Sequence, residues 1–518
     1  VWLRGRTVLA LAVLTAIAGG AATWGVIQTG VLSANPDKEP ARWITGSDAS
    51  GGLRQDELDK LNKALELIGE RYMLPANRQA LIDGALQGMI ESLGDPYSVY
   101  LSKDEAEQFT DSTQGTFTGI GADLMKENGL IIVEAPLRGS PAERAGLQPR
   151  DVLLMVNGES LQGLSLNEAA AKIRGPKGTK AKLKVLRSGL KEPIELELVR
   201  DRIPLETVKG ELGPDGIGVL AISQFSQNTP QQVAQELKSL EAEGLKALII
   251  DVRNNPGGMT DAVQKTADQF VPEGKLIVQY EYGNGRHAQE ASKGEAGAAG
   301  KPYPILVLIN QASASSAEIL AGALQQSAGA LLVGEKSFGK GTVQISYPDE
   351  LGDGSLVKLT VYKWLLPDGT WVQNQGLKPD VPVQQHDYWL AYKLPRDRIL
   401  KLDDTGEDVK NLQLILEGVG FDPGRKDGYF NASTERALKE YQERAKLPAT
   451  GQVDAATADS LEESLYTELQ NPANDEQLQT AIDKARGMIG LASVIGNEEA
   501  GIGGRNRAAS VEYVGGRA

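Results

Sequence analysis

Three short stretches carry residues suited to acyl-transfer chemistry. The first, Ser313-Ala314-Ser315-Ser316-Ala317-Glu318-Ile319, follows an apolar run at 305–309 and opens a helical pattern. A serine at such a strand-to-helix turn sits at the positive end of the helix dipole, among backbone N–H groups without intrahelical partners. That suits a nucleophile and an oxyanion site, but the stretch alone reads more readily as a helix cap, because Ser is a favoured N-cap residue. The second, Gly334-Glu335-Lys336-Ser337-Phe338-Gly339-Lys340-Gly341-Thr342-Val343-Gln344, follows the next apolar run and sets Lys340 between two glycines. A lysine can act as a base only if desolvation lowers its pKa toward neutrality; alone, Lys340 reads as a solvated loop lysine. The third, Asp251-Val252-Arg253-Asn254-Asn255-Pro256-Gly257-Gly258, follows the run 245–250. Its Pro-Gly-Gly turn could aim bare N–H groups at an oxyanion, or be a plain strand-to-helix turn.

Composition narrows the alternatives. The chain has 518 residues, no cysteine and two histidines, His287 and His386. A thiolate nucleophile and a cysteine or histidine-rich metal site are excluded, and a Ser-His-Asp triad would have to use one of those two histidines. The net charge of -15 argues against tracking a nucleic-acid backbone. Arg4 and Arg6 precede an uncharged, mostly apolar run from 7 to 31. That length suits an uncleaved membrane anchor with the rest of the chain outside the cytoplasm, and a signal peptide ending near Ala21-Ala22 is the alternative.

Taken together, the three stretches resemble the carboxyl-terminal processing (tail-specific) peptidases, over roughly residues 53–385. In that family the nucleophile lies 25 residues before the lysine, a spacing that here picks Ser315 over Ser313 and Ser316. The resemblance implies Lys340 as general base and Gln344 as the residue that orients it. It also implies an oxyanion site made by Gly257 or Gly258 together with the Ser316 N–H. Ser316-Ala317 stands where many members read Ala-Ser, which leaves a second hydroxyl beside the first. The implied reaction is peptide hydrolysis through an acyl-enzyme, with no metal or organic cofactor.

The elements that must position these residues fall into blocks. A linker at 32–52 precedes a helical cap or dimerisation region at 53–112, in which Gly94-Asp95-Pro96 reads as a helix stop and no chemistry is evident. Residues 113–200 resemble a PDZ domain: Gly119, Ile120, Gly121 and Ala122 match its carboxylate-binding loop, and Arg174 matches a position expected to couple peptide binding to the site. Compact apolar runs alternate with helical segments over 201–385, as in a buried α/β layer. A connector at 386–404 leads to a helical module at 405–466 that resembles a peptidoglycan-binding domain. Residues 467–518 read as a polar, partly disordered tail with one helix near 476–489.

The expected fold is therefore multidomain α+β: a crotonase/ClpP-like α/β catalytic core, an N-terminal helical cap, a PDZ β-module and a C-terminal three-helix module. The expected activity is an extracytoplasmic serine endopeptidase of the cell envelope that selects proteins with apolar C-termini. Membrane, peptidoglycan and a second copy of the chain are its expected partners. A catalytically silent PDZ scaffold at the cell wall is the alternative, disfavoured by the intact Ser315, Lys340 and Gln344 set. A crotonase-like hydratase or thioesterase is disfavoured by the PDZ domain and the Ser/Lys spacing.

Overall fold

The computed structural model describes residues 52–490 except 128, 138, 165, 188–189, 191 and 349. The expected membrane span lies outside them, and no helix among the described residues is long and apolar enough to cross a membrane.

The expected catalytic core is built on a six-stranded sheet. In spatial order its strands are Val208–Leu212, Ile217–Ile222, Ala247–Asp251, Ile305–Ile309, Leu331–Gly334 and Val381–Pro382. All neighbours pair in parallel except the first two. Runs such as Ile305–Ile309, buried at every position, arise because both faces of the sheet are covered. Leu248, Ile250, Val307 and Ile309 point into one core with residues of helices Thr229–Ala242, Thr260–Asp268 and Ser316–Ala328. The alternate residues Ala247, Ile249, Leu306 and Leu308 point into a second core, covered by Leu478, Ala481, Ile482 and Ala485. Those four belong to a helix at 476–490, within the segment expected as a polar tail.

A second, antiparallel sheet joins Leu276–Tyr282, His287–Ala291, Thr342–Tyr347 and the long strand Leu356–Leu365 with Val99–Leu101 from the cap region. This is how the N-terminal region reaches the core. The cap helices Gln55–Arg71 and Arg78–Glu91 bury no residue.

The PDZ block is a sheet ordered Ala122–Glu127, Leu130–Pro136, Val152–Val156, Lys180–Leu186 and Ile194–Val199, with helix Leu166–Ile173 packed near its first strand. Ala122–Glu127 is an edge strand, open to pairing on one side. Further on, helices Glu407–Gly418, Ala432–Arg444 and Ala455–Gln470 enclose a core of their own around Leu412, Leu438, Tyr441 and Leu461.

Candidate active site

Ser315 is the residue that enters helix Ser316–Ala328, with φ 55° and ψ -116°. A non-glycine residue in this region is strained and is held there by its surroundings. Its N–H donates to Glu318 Oε2 at 2.9 Å, yet its side chain makes no cap hydrogen bond, so its hydroxyl is left available. The neighbouring hydroxyls are committed: Ser313 Oγ donates to the Val252 carbonyl at 2.8 Å and Ser316 Oγ to the Gly258 carbonyl at 3.0 Å.

Lys340 lies in the loop between Leu331–Gly334 and Thr342–Tyr347, only 3% exposed. Two indoles hold that loop, Trp364 Nε1 donating to the Lys340 carbonyl and Trp371 Nε1 to the Gly341 carbonyl, each at 2.8 Å. Burial pushes the Lys340 pKa down to about 8, opposed by the charges of Glu318 and Asp95. Its Nζ has no hydrogen-bond partner, and neither does the buried Gln344 Oε1. The other end of the Gln344 amide donates to Thr342 and Thr360 hydroxyls, both at 3.0 Å, which fixes the side chain. Buried polar groups are nearly always paired, so two such orphans in one site mark a place built for a reacting group.

Glu318 ties the two motifs together. Its fully buried carboxylate accepts from the N–H groups of Ser315, Gly339 and Lys340 and from the Ser337 hydroxyl, at 2.6–2.9 Å. A single oxygen, Oε2, thereby receives the backbone N–H of both Ser315 and Lys340. Burial raises the Glu318 pKa, and these hydrogen bonds work against that rise. The sequence carried a signal for Glu318, since Ser-x-x-Glu before an apolar helix is the capping-box pattern.

The Pro-Gly-Gly turn lies against the Ser315 turn. Gly257 has φ 104°, and a Cβ there would come within 2.8 Å of the Ala314 carbonyl oxygen and 2.9 Å of the Ser316 nitrogen, so only glycine fits. The Gly257 N–H is already bonded to Asn255 Oδ1 at 2.8 Å. The Gly258 and Ser316 N–H groups have no acceptor among the described residues.

Three residues that sequence reasoning assigned no chemistry complete the surroundings. Asp95 and Tyr97 come from the cap, and the Tyr97 ring centroid is 5.0 Å from Lys340 Nζ. Lys358, on strand Leu356–Leu365, is also buried; burial and the nearby charge of Lys340 push its pKa down to about 7. His287 is exposed, and His386 meets Glu476 at 3.0 Å and stacks on Tyr388, so neither histidine belongs to this site.

The expected peptide-binding residues gather separately in the PDZ block. The carbonyls of Ile120 and Gly121 accept from the Ala142 and Leu137 N–H groups at 2.8 and 3.0 Å. A trans peptide turns its N–H opposite to its C=O, so the Gly121 and Ala122 N–H groups face away from those partners. The exposed Arg174 lies beside this loop, its guanidinium 5.5 Å from the Phe117 ring.

Comparison with known proteins places this geometry. Residues 216–383 match peptidase family S41, 132–187 a PDZ domain, 405–461 a putative peptidoglycan binding domain, and 16–105 the activating protease CtpB N-terminal domain. The chain is 40% identical over 475 residues to the carboxy-terminal processing protease CtpB of Bacillus subtilis, covering 91% of this chain and 98% of that protein. The chain belongs to peptidase family S41. Its similarity to CtpA of the same organism is 40% over 446 residues, covering 85% and 94% of the two chains. Among solved structures, the photosystem II D1 C-terminal processing protease is 26% identical, with coverage of 64% and 94% and a TM-score of 0.38. This S41 member is thus a carboxy-terminal processing serine protease with a PDZ domain, on a multidomain α+β fold.

Proposed function

We propose that this protein is an extracytoplasmic endopeptidase that holds substrate C-termini in its PDZ domain and cleaves with a Ser315–Lys340 dyad. The observation that carries the reading is the buried, unpartnered Lys340 Nζ, with its pKa lowered to about 8, linked through Glu318 to the strained Ser315 turn. Neutral Lys340 Nζ accepts the Ser315 Oγ proton as Oγ attacks the scissile carbonyl carbon. The Gly258 and Ser316 N–H groups hold the oxyanion. Lys340 then gives its proton to the leaving amine, and water releases the acyl group. Gln344 Oε1 orients the amine, and the Tyr97 ring excludes water from it.

Recognition follows from the open edge of Ala122–Glu127: a peptide adds as a strand while its terminal carboxylate meets the Gly121 and Ala122 N–H groups. A peptide ending in an apolar residue should be cleaved with kcat/KM about tenfold or more above that of its C-terminally amidated form, the loss expected for an ionic hydrogen-bonding group. Equal rates would refute the carboxylate reading.

The remaining assignments concern location. Arg4 and Arg6 before the apolar run 7–31 support a membrane anchor. Exposed Leu58, Leu61, Leu67, Met73 and Leu74, on or just after a helix that buries nothing, support pairing with a second copy. The helical module supports attachment to the wall. The full chain should sediment with purified peptidoglycan and be released by soluble glycan fragments; retention in the supernatant would remove the wall from the account.

A further inference from the structure

The three-helix module interrupts the catalytic domain instead of trailing it. The core sheet ends at Val381–Pro382, the module follows, and the chain then returns as the helix at 476–490. Ala481 and Ala485 of that helix are fully buried against Ile217, Ile249, Leu306, Leu308 and Val333. The residue that opens this return, Asp475, is 6% exposed and reaches the loop carrying the proposed oxyanion site. Its carboxylate takes two hydrogen bonds from Arg253, Nη1 to Oδ1 at 2.8 Å and Nη2 to Oδ2 at 2.7 Å. Gln385 and the Leu478 N–H also donate to it, at 2.6 and 3.0 Å. Gln477 Oε1 accepts from Arg253 as well, at 3.1 Å.

Arg253 stands two residues before Asn255, which organises the Gly257-Gly258 turn. Asn255 Oδ1 accepts the Gly257 N–H at 2.8 Å, its Nδ2 donates to the Ile222 carbonyl at 2.8 Å, and its own carbonyl accepts the Ala314 N–H at 3.0 Å. A connected path of hydrogen bonds and three loop residues, 253–255, therefore runs from Asp475 to the residue preceding Ser315. A paired, planar contact of this kind fixes direction as well as distance.

We infer that Asp475 is a positioning residue of the peptidase, clamping Arg253 from the side opposite Asp251, which takes the Nε and Nη2 hydrogen bonds, so that the Gly258 N–H stays aimed at the oxyanion. The inference rests on the proposed oxyanion role of Gly258. It makes the far side of the sheet, and the segment leaving the helical module, part of the machinery that sets turnover.

The test compares Asp475→Ala, Asp475→Asn, Arg253→Ala and the Asp475→Ala/Arg253→Ala double variant in the full chain. A displaced oxyanion donor costs turnover more than binding, so Asp475→Ala should lower kcat by roughly 10- to 100-fold with KM within about twofold. Affinity for a peptide aldehyde, which forms a tetrahedral adduct, should fall in parallel. Asp475→Asn keeps the shape and should lose less. The double variant should lose clearly less than the product of the two single losses, because the Asp475–Arg253 contact is common to both. Wild-type kcat in Asp475→Ala, or losses that multiply in the double variant, would overturn the clamp. Aldehyde that fails to attach to Ser315 in the wild type would instead overturn the dyad.

Discussion

Ser315→Ala should lower turnover of an apolar-tailed peptide by roughly 10^4- to 10^6-fold, the scale at which removal of a nucleophile leaves only binding and oxyanion stabilisation. Ser316→Ala should stay within about tenfold of the wild type. The difference follows from what each hydroxyl does. Ser316 Oγ donates to the Gly258 carbonyl, a single neutral hydrogen bond worth about 1 kcal/mol, and its loss leaves the Ser316 N–H in place. Ser315 has no such partner and stands on strained backbone between the Pro-Gly-Gly turn and the first turn of the helix. Binding of a C-terminal peptide should be unchanged in both variants, since the PDZ residues lie elsewhere. Activity that survives Ser315→Ala and disappears in Ser316→Ala would reverse the assignment; steady-state kinetics on the two variants decides it.

Lys340→Met should abolish cleavage to a similar degree while making the protein more stable. The base must be neutral, and Lys340 carries its proton below about pH 8. In the wild type, kcat/KM should therefore rise with pH through about 8 and be lower on the acid side. The stability effect has the opposite basis. Unfolded, the lysine keeps its proton up to about 10.5, whereas the folded protein releases it at about 8. Between those values the unfolded chain binds more protons, so stability rises with pH; below about 8 the cost of the buried charge is present in full, about 3 kcal/mol. Methionine removes that cost, so the variant should gain up to about 3 kcal/mol near pH 7, and the gain should fade above pH 10. Denaturant titrations at two pH values would show it. Tyr97→Ala should move the kinetic pKa upward, because opening the site to water favours the charged amine. A kcat/KM profile flat between pH 6 and 9 would remove Lys340 from the role of base.

Much of this site is legible in the sequence because its parts are local. Ser315, Lys340 and the Gly257-Gly258 turn each follow a compact apolar strand, and the strand Ile305–Ile309 has the bounds its apolar run suggests. Continuous apolarity signals that both faces of the sheet are covered, but not by what; the second cover comes from residues 476–490, read from composition as part of a polar tail. Asp95 and Tyr97 are hidden for a related reason. Gly94-Asp95-Pro96 is a sound helix stop, and nothing periodic links it to a lysine more than 240 residues later. The antiparallel sheet that makes the link, through Val99–Leu101 on Leu356–Leu365, has half-buried strands whose pattern is weak. The choice between Gly257 and Gly258 is likewise a matter of hydrogen bonding, since Asn255 occupies one N–H and leaves the other.

The most direct measurement is covalent labelling of the native protein with a serine-reactive peptidyl phosphonate, followed by mass spectrometry of the modified fragment. The dyad predicts one adduct, on Ser315, forming faster as pH rises through about 8 and absent in Lys340→Met. An adduct on Ser313 or Ser316, or labelling of Ser315 that proceeds unchanged without Lys340, would contradict it.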